Sequence, residues 1–536
     1  MKRNILEYLE DSVKKYPDRC AYKDKSGAYT FAEVYRMARV MGSRLGKQRK
    51  PENEEELKTE GSLGNEESPK KQREIEGQRK QGEAKDQKKP VAVMMEKSVS
   101  AIISFLGVVY AGRSYCPIDI TLPQERIKAL LAELDPDVIV AGKGQEGLVR
   151  SMDLSGKTSW FEELIRGEED SAFLEAVRRA SVDMDALYLF FTSGSTGTPK
   201  GAVISHRTMI DTMEWLDEEF AFGPEDVMGN QAPLSFNIAN QDIYCPLKFG
   251  CSMVIIPTEY FAFPGKLIPF LQEERITSIF WAPFALCVAA NLKALEICAL
   301  TDLRYVFFAG EPMPVKQLNY WREHVPGAQF INMYGSTETY GTLFYRVERE
   351  FQEGETLPIG GPCRNISAFV LDENDREITP QSREKGELCV RSSGALGYYC
   401  RREESGRSFV QNPLNPYYRD MICRTGDLVS YNEYGELLYH GRIDLQIKHL
   451  GYRIELGEIE AAAETLAEVE VCACRYDAEK QRILCFYSGK EVERKVLAQH
   501  LGKKLPRYMM PGKYIYLEEM PRNKNGKIDR KNLPME

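Results

Sequence analysis

The 536-residue sequence predicts an α/β protein with a large N-terminal domain of layered parallel β-sheets and helices, a small β-rich lobe, and a small α+β C-terminal domain. Three observations carry this. Short runs that are apolar throughout alternate with helical stretches, at residues 91–95, 138–141, 188–191, 252–256, 278–281 and 305–308; such runs suit parallel strands buried on both faces. From roughly Gly386 the rhythm changes to short strands with Gly and Asn turns, at 387–391, 428–431 and 435–439. The length also calls for more than one core, since single cores stop growing near ~250–300 residues.

Taken in order, residues 1–46 read as a helix, a strand pair around Ala21-Tyr22 and Tyr29-Thr30, and a helix with apolar positions at Val34, Met37, Val40 and Leu45. From about 47 to 89 the chain is Lys, Glu, Gln, Arg and Gly with no aromatic residue. Such a segment cannot bury enough apolar area to offset its ordering entropy, so a solvated, mobile insertion is expected. A buried strand then leads into a helix over 101–111 that ends at Gly112. Domain boundaries of 1–442 and 443–536 follow, the second being the compact α+β tail.

The net charge is −9 with a sequence pI near 5.5, which excludes a basic face for nucleic acid. No apolar run approaches the ~18 residues of a membrane span, and the start lacks the apolar region of a secretion signal. A cytoplasmic chain is expected. The 13 cysteines are scattered, only Cys472 and Cys474 standing close together, and suit reduced, buried small hydrophobes. The 5 histidines show no metal-ligand spacing, so no zinc site is expected.

The most informative segment is Thr192-Ser-Gly-Ser-Thr-Gly-Thr-Pro-Lys-Gly201, directly after an apolar strand. Its glycines, hydroxyls and lysine can surround phosphate oxygens with backbone N–H groups, O–H donors and a cation. It is no nucleoside-triphosphatase P-loop, because Pro199 stands where that pattern needs glycine before the lysine. Further segments stand out: Asn332-Met-Tyr-Gly-Ser-Thr-Glu338, Gly386-Glu-Leu388, Arg424-Thr-Gly-Asp-Leu428, Gly441-Arg-Ile-Asp444, Gly451-Tyr-Arg-Ile-Glu-Leu-Gly-Glu-Ile-Glu460 and Asn525-Gly-Lys-Ile-Asp-Arg530. Together they resemble the adenylate-forming (AMP-binding) enzymes, which include acyl-CoA synthetases, luciferases and nonribosomal-peptide-synthetase adenylation domains.

The resemblance implies ATP and Mg²⁺, and a reaction in which a carboxylate attacks the α-phosphate of ATP before a thiol takes the acyl group. Thr192, Ser193, Gly194, Ser195, Thr196 and Gly197 would bind the β- and γ-phosphates, and Lys200 would steady the loop or the leaving pyrophosphate. Asn332, Tyr334 and Gly335 belong to the nucleotide site, Tyr334 stacking on adenine. Thr337 would contact the α-phosphate and Glu338 would hold Mg²⁺. Asp427 would accept hydrogen bonds from the ribose hydroxyls, with Arg442 positioning the sugar. Lys527 would reach the substrate carboxylate as the adenylate forms. Its distance in sequence from the phosphate loop makes the C-terminal domain mobile, with Asp444 as hinge. Reorientation would withdraw Lys527 and present 448–451, where the small Gly451 admits a phosphopantetheine arm.

Segments around Cys116-Pro-Ile-Asp119, Phe308-Ala-Gly-Glu311 and Arg453–Glu460 look similar to stand-alone adenylation enzymes, notably D-alanine:carrier-protein ligases. With no carrier signature in the chain, the acceptor would be a separate phosphopantetheinylated carrier protein, and coenzyme A is the lesser alternative. The pocket positions implied are Asn237, Ile238, Gln241, Phe280, Phe307, Ala309, Met333, Gly341 and Thr342. Amino-acid activators usually carry aspartate where this chain has Asn237, to pair with the substrate ammonium. An amino acid held by an amide is one reading; an aryl or other acid lacking the α-amino group, as in an aryl- or acyl-CoA ligase, is the other. Asp242 reads as structural.

Overall fold

The computed structural model describes residues 2–47, 89–192, 199–392, 394–522 and 528–534. The expected mobile insertion, most of the phosphate loop and Lys527 lie outside the described residues.

Two sheets and three helical layers build the large domain. One sheet has nine strands, its parallel centre formed by Gln329–Ser336, Tyr305–Ala309, Ser278–Trp281, Val227–Asn230, Ser252–Ile255 and Cys20–Asp24. The second has seven, with Ala186–Thr192, Tyr115–Pro117, Val91–Met94, Ile139–Ala141 and Thr158–Trp160 in parallel. Helices Leu6–Lys15, Phe31–Lys47, Val99–Tyr110, His206–Glu219 and Ile238–Phe249 supply the core between the two sheets. A helix inside such a sandwich has no face to give to water; accordingly every residue of Val99–Tyr110 except Ser100 is buried. Outer helices Pro264–Glu273, Pro283–Asn291 and Val315–His324 cover the far face of the first sheet, and Gln124–Leu134 covers the second.

The expected parallel strands are present within a residue or two of their sequence bounds, but both sheets end in antiparallel strands. Lys200–Ser205 returns antiparallel to Ala186–Thr192, with Thr192 opposite Lys200. Tyr340–Arg346 likewise returns along Gln329–Ser336. Both returns are hairpins, whose short local connections leave no helical period to read. The β-rich lobe starts earlier than Gly386, because Ile366–Leu371 and Glu377–Ile378 already belong to its six-stranded sheet.

After Arg442, the hairpin Gln446–His449/Tyr452–Glu455 precedes a three-stranded sheet of Val469–Asp477, Arg482–Gly489 and Lys513–Tyr516, packed with helices Leu456–Glu464 and Arg494–Gly502. Cys485 pairs opposite Cys474, so its sulfur, Cys474's and Cys472's lie within 4.8 Å of one another. All three are buried in the apolar core of this domain, and no fourth donor joins them among the described residues.

The first helix is tied to the sandwich through His206, whose Nδ1 accepts the Ile5 N–H at 3.2 Å. Burial, helped by Arg178, pushes this imidazole down to about 3. The unfolded chain takes up the proton below its ordinary 6.5 while the folded chain refuses it, so stability present above that pH is lost as pH falls toward 3. The loss should approach ~5 kcal/mol by the conversion of shift to free energy. Urea unfolding between pH 7 and 4 should show this slope, and His206→Gln should flatten it; an unchanged slope would contradict the assignment.

Candidate functional site

The site forms where hairpin tips of both sheets meet the β-rich lobe and the hairpin 446–455. Thr192 ends the second sheet's central strand, buried, its hydroxyl donating to the Lys200 carbonyl at 3.4 Å. Opposite it, Asn332, Tyr334 and Gly335 lie on Gln329–Ser336, and Thr337 and Glu338 form the turn into Tyr340–Arg346. Only glycine fits at 335, since an added Cβ would overlap the Tyr340 carbonyl oxygen across the hairpin. Asn332 is held by donation to the Pro358 carbonyl at 2.8 Å.

Glu338 is 4% exposed. Its Oε1 accepts the Tyr398 hydroxyl at 2.6 Å and its Oε2 the Arg453 guanidinium at 2.6 Å. Burial opposes its ionisation most strongly, yet Arg453 and Tyr398 together outweigh it and hold the carboxyl at about 2. The Lys200 ammonium stands 5.8 Å from the centroid of the same Tyr398 ring. Tyr398 belongs to Ala395–Tyr398, the edge strand beside Lys200–Ser205.

Asp427 and Arg442 are cross-strand partners in the lobe. Asp427 is buried, and accepts Arg442 at 3.0 Å and the Tyr334 hydroxyl on its other oxygen. The same guanidinium holds Asp444 with two bonds of 2.7 and 2.6 Å. The expected ribose and hinge residues are therefore joined through one arginine.

A cavity of about 230 Å³ runs through the centre. Thr192, Asn237, Ile238, Gln241, Phe280, Ala309, Met333, Tyr334, Gly335, Thr337 and Gly341 all line it. Two expected wall residues do not. Phe307 packs behind Phe280, ring centroids 6.0 Å apart, within an aromatic group that includes Phe220 and Phe222. Thr342 is fully buried, its hydroxyl spent on the Tyr334 carbonyl at 3.2 Å. Asp242 is also absent from the wall; it accepts Asn230 at 2.9 Å in the core, and burial pushes its carboxyl up to about 8. An adjoining cavity of about 240 Å³ shares Gly310, Met333, Tyr334, Gly335 and Lys448 with the first, and adds Asn332 and Tyr439.

Asn237 precedes helix Ile238–Phe249. Its Nδ2 donates to the carbonyls of Ser336 and Thr337 at 3.4 and 3.3 Å. That fixes the amide orientation and leaves Oδ1 buried with no protein donor among the described residues. Gln241 likewise keeps a buried Nε2 with no partner among them.

The hairpin 446–455 closes this centre. Gly451 has φ +79° and an added Cβ would lie 2.9 Å from Ala282 Cβ; its N–H donates to Glu311 at 3.1 Å. The Lys448 ammonium stands 5.4 Å from the Tyr334 ring centroid and 4.8 Å from that of Tyr439. Burial lowers its pKa despite the neighbouring Asp427 carboxylate. Sequence reasoning assigned no site role to Arg453, Tyr398 or Glu311, and placed Lys448 only within the segment 448–451. Arg453 and Glu311 lay inside quoted motifs, whereas nothing near Tyr398 marked it.

Residues 80–399 match the family model described as AMP-binding enzyme, and 458–527 match its C-terminal domain. The chain belongs to the AMP-binding enzyme family. Among curated relatives of this AMP-binding enzyme, tyrocidine synthase 3 of Brevibacillus parabrevis is 32% identical over 453 residues, covering 83% of this chain but 7% of that protein. Bacitracin synthase 1 of Bacillus licheniformis is 32% identical over 453 residues, 83% of this chain and 8% of the synthase. The chain thus spans a small part of these long relatives. A relative of comparable size is the L-proline--[L-prolyl-carrier protein] ligase of Streptomyces coelicolor, 32% identical over 473 residues, 83% of this chain and 87% of that one.

Solved structures share the fold. The Vibrio cholerae adenylation domain AlmE, in complex with glycyl-adenosine-5'-phosphate, superposes with TM-score 0.78 at 18% identity, covering 98% of this chain and 97% of that one. Holo-PA1221, which contains adenylation and PCP domains, gives 0.77 at 22% identity over 99% and 83%.

Gly335→Ala should weaken AMP binding by about tenfold or more in calorimetry, a change of ~1.4 kcal/mol. Gly327→Ala, at an exposed position where nothing lies within 4 Å of the new Cβ, should bind like the parent chain. Equal affinities for the two variants would contradict the tight hairpin.

Proposed function

We propose that this AMP-binding enzyme activates an amino acid as its aminoacyl-adenylate and passes the aminoacyl group to the phosphopantetheine thiol of a separate carrier protein. The observation that carries the amino-acid assignment is Asn237: it lines the cavity and keeps a buried carbonyl oxygen with no protein donor among the described residues, beside the turn that bears Thr337 and Glu338. An ammonium donor satisfies that orphan acceptor, and a substrate without one leaves its desolvation uncompensated. The carrier-protein assignment draws on the relative named for an L-prolyl-carrier protein.

In the first half-reaction a substrate carboxylate oxygen bonds to the α-phosphorus of ATP, the bond from that phosphorus to the β-bridging oxygen breaks, and pyrophosphate leaves. Lys200 and the loop 192–197 hold the departing phosphates, and Thr337 faces the α-phosphate. Asp427 accepts from the ribose hydroxyls while Arg442 fixes its carboxylate. Glu338 is a buried, ionised, hard oxygen donor, which fits Mg²⁺ held by one carboxylate and substrate phosphates. When bound, Mg²⁺ offsets negative charge on the phosphate oxygens. Lys527 bridges the substrate carboxylate and ribose or phosphate oxygens.

In the second half-reaction the thiol sulfur bonds to the acyl carbon, the bond from that carbon to the phosphate oxygen breaks, AMP leaves and the thiol proton goes to solvent. The placement of the small domain suits this step. Gly451 stands over Gly310, Arg453 holds Glu338, and Lys448 faces the nucleotide cavity. Adenylate formation then requires the small domain to turn about Asp444. Among the described residues, no helix is long and apolar enough to cross a membrane.

Pyrophosphate exchange over D- and L-amino acids, aryl acids and short fatty acids tests the substrate class: amino acids should support it, and exchange with non-amino acids alone would overturn the assignment. Lys527→Ala should depress adenylation by orders of magnitude while sparing transfer from preformed adenylate. Equal loss of both half-reactions would refute the turning domain.

A further inference from the structure

Helix Gln124–Leu134 of the large domain faces helix Leu456–Glu464 of the small domain, and between them Arg126 forms an ion pair with Glu458. The two side chains are 12% and 3% exposed. Among the described residues, further charged contacts between the small domain and the body lie at the reaction centre and the expected hinge: Arg453 with Glu338, the Gly451 N–H with Glu311, and Asp444 with Arg442. Arg126 also lines the central cavity, as do Asp119, Tyr452 and Tyr508. Beside the pair, Tyr452 and Tyr508 stack at 3.7 Å and 7°, and Phe236 of the large domain meets Tyr452 edge-on at 5.2 Å. The contact is therefore closed on one flank by aromatic rings.

We propose that Arg126 is a positioning residue for thiol transfer: its ion pair with Glu458 docks the small domain in the orientation described here and takes no part in adenylate formation. This rests on the two-orientation reading of the proposed function. The physical ground is desolvation. Docking removes the Glu458 carboxylate from water, and burial pushes its carboxyl up to about 7, Glu455 adding to the shift while Arg126 opposes it. Of the charged groups that shift the Glu458 carboxyl, Arg126 is the cation and Glu455 a second anion. Arg126 is thus the cation that makes burial of Glu458 tolerable. Removing one partner of such a pair leaves an unpaired buried charge, whereas neutralising both removes the penalty.

The test separates the half-reactions. Adenylation is read by pyrophosphate exchange, and transfer by single-turnover reaction of preformed aminoacyl-adenylate with pantetheine in excess. Arg126→Ala should slow transfer by about tenfold or more and leave exchange within about twofold of the parent, the size expected when a buried carboxylate loses its partner. The double variant Arg126→Ala with Glu458→Gln should recover most of the transfer rate, because the amide needs no counter-charge; a residue that only supports the fold would not be rescued this way. Unchanged transfer in Arg126→Ala, equal slowing of both half-reactions, or a double variant no faster than the single would each overturn the proposal. If Lys527→Ala separates the half-reactions while Arg126→Ala does not, docking by this pair fails and the two-orientation reading stands. If Lys527→Ala slows both alike, that reading itself fails.

Discussion

A carboxylate buried as deeply as Glu338 stays charged only while a cation faces it, and this requirement organises everything around it. Here the cation comes from the other domain: Arg453 reaches across 115 positions of sequence to the hairpin turn, with Tyr398 on the second oxygen. The ion pair brings the hairpin 446–455 over the centre and with it Gly451 and Lys448. In the proposed reaction the same carboxylate would hold Mg²⁺ in one orientation of the small domain and pairs with Arg453 in the one described here.

Legibility followed sequence distance. Alternating buried runs are a local signal, and they located the parallel strands to within a residue or two. The antiparallel returns Lys200–Ser205 and Tyr340–Arg346 were missed because pairing direction is set by turn geometry rather than by hydrophobic period. Tyr398 escaped for another reason. It enters the site from a separate edge strand, 60 residues from the Glu338 it contacts, inside a segment with no composition of its own. Register explains the pocket errors. Phe307 and Ala309 share a strand face two residues apart, yet only Ala309 reaches the cavity, the phenyl ring being drawn into the aromatic group around Phe220. The cysteines show how a scattered set becomes compact: Cys472, Cys474 and Cys485 meet because a ladder pairs 474 with 485.

Arg442 shows how little material can connect distant tasks. One guanidinium fixes the buried Asp427 and grips the half-exposed Asp444. The residue expected to hold ribose and the residue expected to flex are therefore two ends of a single rigid fork, whose planar geometry favours two-point carboxylate contacts. Any rotation at Asp444 must either break that fork or carry it along, which ties the backbone's freedom to the state of the sugar site.

Asn237 spends its amide nitrogen on the carbonyls of Ser336 and Thr337, leaving its oxygen without a protein donor among the described residues. An aspartate at this position has no hydrogens to give, and would set two carbonyl oxygens against an anion. A residue of the cavity wall and the shape of the turn at 336–337 are thereby joined through one side chain. Retuning this pocket by placing an aspartate at 237 would therefore mean rebuilding the turn that the amide now holds.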